Sequence, residues 1–250
     1  MRPARKARPQ IETPHIRPCF IKEEIPMPNK QICVIGTSMS NYADFKRMFK
    51  ELDPTIRISY IADDSLIEDL LANQGPTPST IKRLCNYAQM AEEMGACLIV
   101  NQCSTVSEVS DIYAKLIRIP VLKVDQAMAE KAVSMGSNIA MITTNTTTVG
   151  PSRRLIESCA KAAGKEVKVT EFILAHAMEA LFCGDVESHN RQLRQAIEDC
   201  DGKFDVIVLA QGSMIAIMPE VAHVKTPVLT SIPLGVARAV EMVHKMFPEG

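Results

Sequence analysis

The sequence has no apolar run that approaches the roughly 18–20 residues needed to cross a membrane. It also has no excess of either charge, because 28 Lys and Arg residues oppose 29 Asp and Glu residues and the formal net charge is -1. A balanced charge provides no overall basic field to attract nucleic acid. Apolar residues make up 46% and charged residues 23%, which is typical of globular proteins. We therefore expect a soluble protein whose partners include neither a membrane nor a nucleic acid.

Several common site motifs are also missing. The eight cysteines form no CxxC pair and no local cluster with histidine, so the usual zinc-site spacings are absent and we predict no metal. The sequence contains no glycine-rich dinucleotide fingerprint and no P-loop. Most cysteines lie in apolar runs, such as Cys33 and Cys97, or in expected helices. Reduced, mostly buried thiols favour a cytoplasmic location.

Residues 1–29 differ in composition from the rest of the chain. They are rich in proline and carry Arg2, Arg5, Lys6 and Arg8 without the apolar region of a secretory signal. We interpret them as a flexible basic tail. An organelle-targeting or anion-binding arm is the alternative, although the prolines oppose the amphipathic helix that targeting needs.

From residue 30 onward, short apolar runs alternate with longer stretches of helical period, which predicts an α/β fold with mainly parallel sheets flanked by helices. Predicted strands occupy residues 32–36, 56–61, 97–101, 121–124, 139–143, 167–169, 206–210 and 228–230. Predicted helices occupy residues 42–52, 80–94, 107–116, 127–135, 152–163, 175–182, 188–200 and 236–246. Asp125 and Ser188 are expected N-caps.

A weak internal repeat predicts two related halves. The segments ACLIVNQCSTVSEV and IPVLKVDQAMAEKAV are echoed by DVIVLAQGSMIAI and TPVLTSIPLGVARAV. We expect two pseudo-symmetric lobes, one formed by residues 30–136 with 231–250 and the other by residues 137–230. Ligands bind at the carboxyl ends of strands in open α/β sheets. Four polar loops would therefore meet in one cleft between the lobes.

Hydroxyl side chains follow the first strand of each half. Thr37 and Ser38 follow one strand, and the run from Thr144 through Thr146, Thr147 and Thr148 follows the other, before a helix expected to begin near Pro151. Hydroxyls and backbone N–H groups at a helix N-terminus suit a carboxylate or phosphate. The alternative is that these residues are ordinary caps and turn formers.

Cys103 is the candidate catalytic residue. It lies in the segment Asn101-Gln102-Cys103-Ser104-Thr105, after a buried strand and before a helix expected to begin near Val106. The positive end of that helix would favour the thiolate, which is the nucleophilic and basic form of cysteine. A small core residue is the alternative reading of this cysteine.

The matching loop of the second half is Gln211-Gly212-Ser213-Met214. Gly212 lets a ligand approach the backbone closely. Gln211 and Ser213 can hydrogen-bond a substrate oxygen, but neither is a base at neutral pH without activation. A polar turn between strand and helix is the alternative.

The segments LIVNQCST, VIVLAQGSM and TTNTTTVGPSRRLIE resemble the aspartate/glutamate/hydantoin racemase superfamily, which also includes arylmalonate decarboxylase and maleate isomerase. The resemblance covers about residues 30–246. It implies paired α/β lobes, no cofactor, a small carboxylate-bearing substrate between the lobes and a homo-oligomer. In the racemases, two cysteines face each other across the α-carbon of the substrate.

Carried over by position, the resemblance makes Cys103 the first-lobe cysteine. Gln211 lies where the second cysteine would be, with Ser213 two residues further on, so these three are the catalytic candidates. Thr37-Ser38 replaces the Asp-Ser pair of many amino-acid racemases, which argues against aspartate or glutamate as substrate. The predicted substrate-binding residues are Thr37, Ser38, Asn101, Ser104, Thr105, Thr144, Thr146, Thr147, Thr148 and Gly212.

These residues predict a cofactor-independent racemase or isomerase that acts through Cys103 at the carbon next to a carboxylate or carbonyl group. A one-thiol decarboxylase or lyase of the same superfamily is an alternative, because such a site delivers a proton to one face only. A second alternative is an inactive carboxylate-binding protein. A cysteine-dependent hydrolase, which would form a covalent adduct on Cys103, is a third.

Overall fold

The computed structural model describes residues 30–39 and 41–248. The tail predicted for residues 1–29 lies outside the described residues.

Two four-stranded parallel sheets form the framework. The first contains β1 (Gln31–Gly36), β2 (Arg57–Ala62), β3 (Leu98–Asn101) and β4 (Val121–Lys123) in the order β2-β1-β3-β4. The second contains β5 (Asn138–Thr143), β6 (Lys168–Ile173), β7 (Val206–Leu209) and β8 (Val228–Thr230) in the order β6-β5-β7-β8. The same order occurs twice, and every strand pair is parallel. The predicted α/β fold with two similar lobes is confirmed.

Nine α-helices in the described part of the chain surround the sheets. They are α1 (Tyr42–Leu52), α2 (Ser65–Ala72), α3 (Pro78–Glu93), α4 (Ser110–Tyr113), α5 (Gln126–Met135), α6 (Thr146–Ala162), α7 (Ala175–Phe182), α8 (Val186–Cys200) and α9 (Ser231–Met246). Two 3-10 segments, Ser104–Val109 and Gly212–Val221, follow β3 and β7. Within residues 30–39 and 41–248, no helix combines the length and apolar character of a membrane span.

The central strands were recognisable in the sequence because helices cover both faces of each sheet. All residues of β1, β3 and β7 are buried, and β5 is buried except at Asn138. Such strands read as continuous apolar runs. The edge strands β2 and β6 are largely half-exposed and mix polar with apolar residues. Their pattern is weaker, and β6 begins at Lys168 and ends at Ile173, four residues beyond the predicted end.

Helices α5 and α9 each pack on the sheet of the other lobe, not on the sheet whose last strand they follow. In α9, Ile232, Val236 and Val243 pack in the same core cluster as Val34 of β1. In α5, the buried face joins the core of the second sheet, with Ala132 beside Met141. Each helix thus follows the last strand of one sheet and packs on the other. The lobe limits remain a prediction. Because α5 packs on the second sheet, this packing favours a boundary between the lobes before α5 and not after residue 136.

Four local predictions need correction. Asp185, not Ser188, caps α8, because its carboxylate accepts a hydrogen bond from the Ser188 N–H at 2.9 Å. Helix α6 begins at Thr146 and not near Pro151, since Asn145 is its N-cap and Pro151 lies inside it. Helix α2 was not predicted. The helix predicted at residues 107–116 is a 3-10 segment followed by the four-residue α4.

Asp125 precedes α5, as predicted, but its side chain makes no capping hydrogen bond. The residue is 2% exposed, and neither carboxyl oxygen has a hydrogen-bond partner of normal geometry. Burial raises the pKa of Asp125, and the nearby hydroxyls of Ser104 and Ser107 offset only part of that rise. Asp125 therefore occupies the N-cap position of α5 as a buried acid whose side chain does not cap the helix.

Gly235 allows α9 to approach the first sheet. A Cβ at this position would lie 2.4 Å from the backbone oxygen of Val124, just beyond β4. Backbone atoms cannot move aside as a flexible side chain can. Any larger residue would therefore push α9 away from the end of β4.

We predict that Gly235→Ala lowers the free energy of unfolding by about 1–3 kcal/mol, the usual cost of overpacking. Gly150→Ala is the matched control, because a Cβ there would meet only the end of the Arg154 side chain, at 3.0 Å. Alanine in a helix is otherwise favoured over glycine by about 0.5–1 kcal/mol. Denaturant unfolding measures both variants, and an unchanged or raised midpoint for Gly235→Ala would contradict the assigned packing.

We predict that Asp125→Asn raises the melting temperature at pH 7. A carboxyl group whose pKa is raised by folding binds its proton more tightly in the folded chain, so stability falls as pH rises through the folded-state pKa. The gain in the variant should shrink toward pH 4. Asp205→Asn is the control of opposite sign, because N–H groups of Ser137 and Asn138 lower the pKa of Asp205. A gain for Asp125→Asn that does not change with pH would refute this account.

Candidate active site

The topology of each sheet determines where its polar loops meet. The chain leaves β1 toward β2 on one side and leaves β3 toward β4 on the other side. A crevice opens at the carboxyl ends of neighbouring strands whose connections run in opposite directions. The second sheet repeats this arrangement at β5 and β7. The loops after these central strands are therefore the expected ligand-binding loops.

All four loops line one cavity of about 310 Å³. The predicted site residues in its lining are Thr37, Ser38, Cys103, Ser104, Thr105, Thr148, Gln211, Gly212 and Ser213. The predicted residues Asn101, Thr144, Thr146 and Thr147 do not line it. Residues that the sequence analysis did not assign to the site complete the lining: Asn41, Ile67, Gln102, Asn145, Met178, Leu181 and Phe182.

Cys103 is partly exposed and is the only one of the seven free cysteines in the described part of the chain that lines this cavity. Its loop is held by Asn101, whose Nδ2 donates to the Cys103 carbonyl oxygen at 3.0 Å. The Tyr113 hydroxyl in turn donates to Asn101 Oδ1 at 3.2 Å. Asn101 is 1% exposed. It therefore positions the thiol loop, whereas the sequence predicted that it binds substrate.

The segment after Cys103 is not the helix that the sequence predicted. Residues Ser104–Val109 form a 3-10 segment, and Val106 inside it has non-helical dihedral angles. Short 3-10 segments align fewer peptide dipoles than a long α-helix. The predicted stabilisation of the thiolate by a helix end thus loses most of its structural basis.

Gln102 lines the cavity next to Cys103 and is hydrogen-bonded to Tyr60. The Tyr60 hydroxyl donates to Gln102 Oε1 and lies 3.3 Å from the carbonyl oxygen of Ser38. Burial, and then the nearby Cys103, raise the pKa of Tyr60 well above its usual range, so it stays a neutral donor. A Cβ at Gly36 would lie 2.1 Å from Gln102 Oε1. Glycine at the end of β1 therefore leaves the space that this pair occupies.

Gln211 ties together two loops of the second lobe. Its Oε1 accepts hydrogen bonds from the Thr144 N–H at 2.6 Å and from the hydroxyls of Thr143 and Thr144, both at 3.0 Å. These bonds use the carbonyl end of the amide. Gln211 therefore holds the loop after β7 against the loop after β5. Thr144 contributes two of the hydrogen bonds in this contact.

Gly212 brings the lobes close together beside Ser213. A Cβ at Gly212 would lie 2.8 Å from Nδ2 of Asn41, the first-lobe residue that precedes α1. Asn145 occupies the equivalent place before α6, where its Oδ1 accepts from the Thr147 N–H at 2.9 Å. Asn41 makes no such capping bond. The two equivalent asparagines thus differ in how their side chains are used.

The threonine loop contributes less to the lining than the sequence predicted. Thr146 is exposed, while Thr147 is 9% exposed and donates its hydroxyl to Asn145 Oδ1 at 2.8 Å. Thr105 Oγ1 lies 3.0 Å from Thr148 Oγ1 and joins the lobes. Of the hydroxyls in residues 146–148, only that of Thr148 belongs to a lining residue.

The rest of the lining is apolar and comes from the helices that follow the edge strands. Ile67 lies on α2, and Met178, Leu181 and Phe182 lie on α7. These residues carry no distinctive signal in the sequence, because apolar side chains at helical spacing normally indicate core. Among described residues, the lining includes no Asp, Glu, Lys, Arg or His. Within residues 30–39 and 41–248, no three His, Cys, Asp or Glu side chains group as a metal site would require.

Comparisons with known proteins agree with this architecture. A family profile described as Asp/Glu/Hydantoin racemase matches residues 32–239. No curated protein gives a significant match.

Solved racemase structures share the fold. Aspartate racemase from Picrophilus torridus has a TM-score of 0.66 at 16% identity, over 86% of this chain and 94% of that one. Glutamate racemase from Thermus thermophilus has a TM-score of 0.66 at 16% identity, over 90% and 85%. Glutamate racemase from Aquifex pyrophilus has a TM-score of 0.60 at 17% identity, over 85% and 83%. With the family profile spanning most of its length, this chain belongs to the Asp/Glu/hydantoin racemase family.

Proposed function

We propose that this protein is a cofactor-independent racemase or isomerase that moves a proton at the carbon next to a carboxylate or carbonyl group. The observation that carries this proposal is the position of Cys103. Among the described residues that line the cavity, it is the only ionisable side chain. A thiolate can act as a base where the hydroxyls and amides around it cannot. The solved aspartate and glutamate racemases of the same fold support chemistry at an α-carbon.

The polar end of the cavity suits the anchoring of a carboxylate or carbonyl oxygen. Helices α1 and α6 both begin there, directly after Asn41 and Asn145. Their first-turn N–H groups favour an anionic ligand. Hydroxyls of Thr37 and Thr148 add donors from each lobe. We assign substrate anchoring to this end, with Asn101 and Gln211 holding the loops in position.

The proposed reaction begins with proton removal. The Cys103 thiolate takes the proton, so a carbon–hydrogen bond breaks and a sulfur–hydrogen bond forms. The electron pair moves onto the carboxylate or carbonyl group and gives an enediolate-like ion. Preorganised donors stabilise such charge without reorganising. Ser213, or a water held by it, donates a proton to the opposite face and completes racemisation. The donor then regains a proton from solvent, and the Cys103 thiol releases its proton to solvent.

A one-thiol decarboxylase is the second candidate, and Gln211 favours it. Where a second catalytic thiol would be, Gln211 already accepts three hydrogen bonds, and Ser213 needs an activating base. In this reaction a carbon–carbon bond breaks, carbon dioxide leaves, and the electron pair remains on the enediolate. The Cys103 thiol then protonates one face and regains its proton from solvent.

A homo-oligomer and a cytoplasmic location remain predictions.

We expect Cys103→Ala to lower α-proton exchange by about 10²–10⁴-fold, the usual contribution of a positioned acid or base. Proton NMR in deuterated buffer, with amino acids, hydantoins, hydroxy acids and substituted malonates, measures exchange and decarboxylation together. Cys183→Ala is the matched control, because Cys183 is exposed and does not line the cavity. Undiminished turnover in Cys103→Ala would overturn the assignment. No turnover in the wild type, with ligands still raising the melting temperature, would favour a binding protein.

Ser213→Ala separates inversion of the α-carbon from exchange of its proton. If Ser213 protonates the second face, this variant should lose inversion by up to about 10²-fold while Cys103 still exchanges the α-proton with retention. Chiral chromatography beside deuterium incorporation measures the two rates. Equal inversion rates in wild type and variant would remove Ser213 from the mechanism and leave water as the second donor.

A further inference from the structure

The cavity has two chemically different ends. Its polar end consists of the loops after β1, β3, β5 and β7, whereas its other wall consists of Ile67, Met178, Leu181 and Phe182. All four apolar residues belong to α2 and α7, the helices that follow the edge strands. A small carboxylate held at the polar end would therefore direct its substituent toward apolar side chains.

The equivalent helices α2 and α7 are packed very differently. Helix α2 buries Leu66 and Leu70, and the Asp63 carboxylate before it accepts hydrogen bonds from Arg83 and from the Tyr87 hydroxyl. Helix α7 buries only Ala177. Phe182, at its end, is 67% exposed although it lines the cavity. Unlike the buried leucines of α2, this phenylalanine is left mostly uncovered by the described chain.

The charge of the lining argues in the same direction. No described lining residue is ionised as a cation, so a second carboxylate on the substrate would meet the wall of α7 without a counter-ion. Burying an unpaired carboxylate is strongly unfavourable. Burying an aromatic or branched aliphatic group there is favourable.

We propose that the substrate carries one carboxylate or carbonyl group at the polar end and a large apolar substituent against Met178, Leu181 and Phe182, in place of a second carboxylate. This inference rests on the proposed function, because it names the class of substrate for the same site. It makes α7 the element that determines specificity.

The test compares matched probes by α-proton exchange in deuterated buffer, using the full chain. One series is phenylalanine, alanine and aspartate, and the other is the matching set of 5-benzylhydantoin, 5-methylhydantoin and hydantoin-5-acetic acid. We expect kcat/KM for the apolar probe of the reactive series to exceed that of its acidic partner by about 10- to 100-fold. Phe182→Ala should lower the ratio of the apolar to the methyl probe by about tenfold. Leu116→Ala is the matched control, because Leu116 is 54% exposed and lies outside the cavity.

The outcomes separate this inference from the proposed function. Exchange that depends on Cys103 but favours the acidic probe would overturn the inference and leave the proposed function standing. An unchanged probe ratio in Phe182→Ala would overturn the role of α7. If no probe exchanges, the proposed function fails, and the inference is then tested by thermal shift with phenylacetate and succinate. Greater stabilisation by phenylacetate supports it, whereas greater stabilisation by succinate, or none by either, refutes it.

Discussion

A contact between buried threonine hydroxyls joins the two lobes at the cavity, whose lining includes Thr105 and Thr148. Thr105 Oγ1 lies 3.3 Å from Thr147 Oγ1 and 3.0 Å from Thr148 Oγ1. Because a hydroxyl both donates and accepts, such a cluster satisfies itself without charge or water. The ion pair between Arg154 and Glu108 also joins the lobes, but both side chains are at least half exposed and the pair contributes at most about 1 kcal/mol. The two lobes are therefore held together beside the cavity mainly by neutral hydroxyl groups and not by the exposed ion pair.

The repeated topology fixes the positions of the loops but not their chemistry. Strand order is the same in both sheets, so the loops after β3 and β7 are equivalent. One presents the Cys103 thiol to the cavity, while in the other Gln211 is bonded to its neighbouring loop. Helices α2 and α7 are equivalent as well, yet only α2 is anchored by buried leucines. A symmetric scaffold thus carries an asymmetric site, with the ionisable side chain of the described lining, Cys103, in one lobe and the apolar wall mainly in the other.

The sequence predicted the features that depend on short-range patterns. Continuous apolar runs marked β1, β3, β5 and β7, and the polar residues after them line the cavity. The sequence could not show which polar residues lie outside the cavity lining. Asn101 and Thr144 are hydrogen-bonded to residues distant along the chain, Tyr113 and Gln211 respectively. The sequence also could not distinguish Phe182 from a core residue, since only tertiary packing leaves α7 beside the cavity. The start of α6 was misplaced because a proline commonly marks a helix start, whereas Pro151 lies inside this helix.

The absence of charge from the described lining also limits the chemistry of Cys103. A thiolate and a substrate carboxylate about 4 Å apart repel each other by about 4 kcal/mol at an effective dielectric constant of 20. Only dipoles, such as the N-termini of α1 and α6 and the hydroxyls around them, can offset this repulsion. A substrate with a neutral carbonyl group in place of the carboxylate avoids it. The same neutrality that excludes a second carboxylate from the wall of α7 therefore also favours a substrate with as little charge as possible beside the thiol.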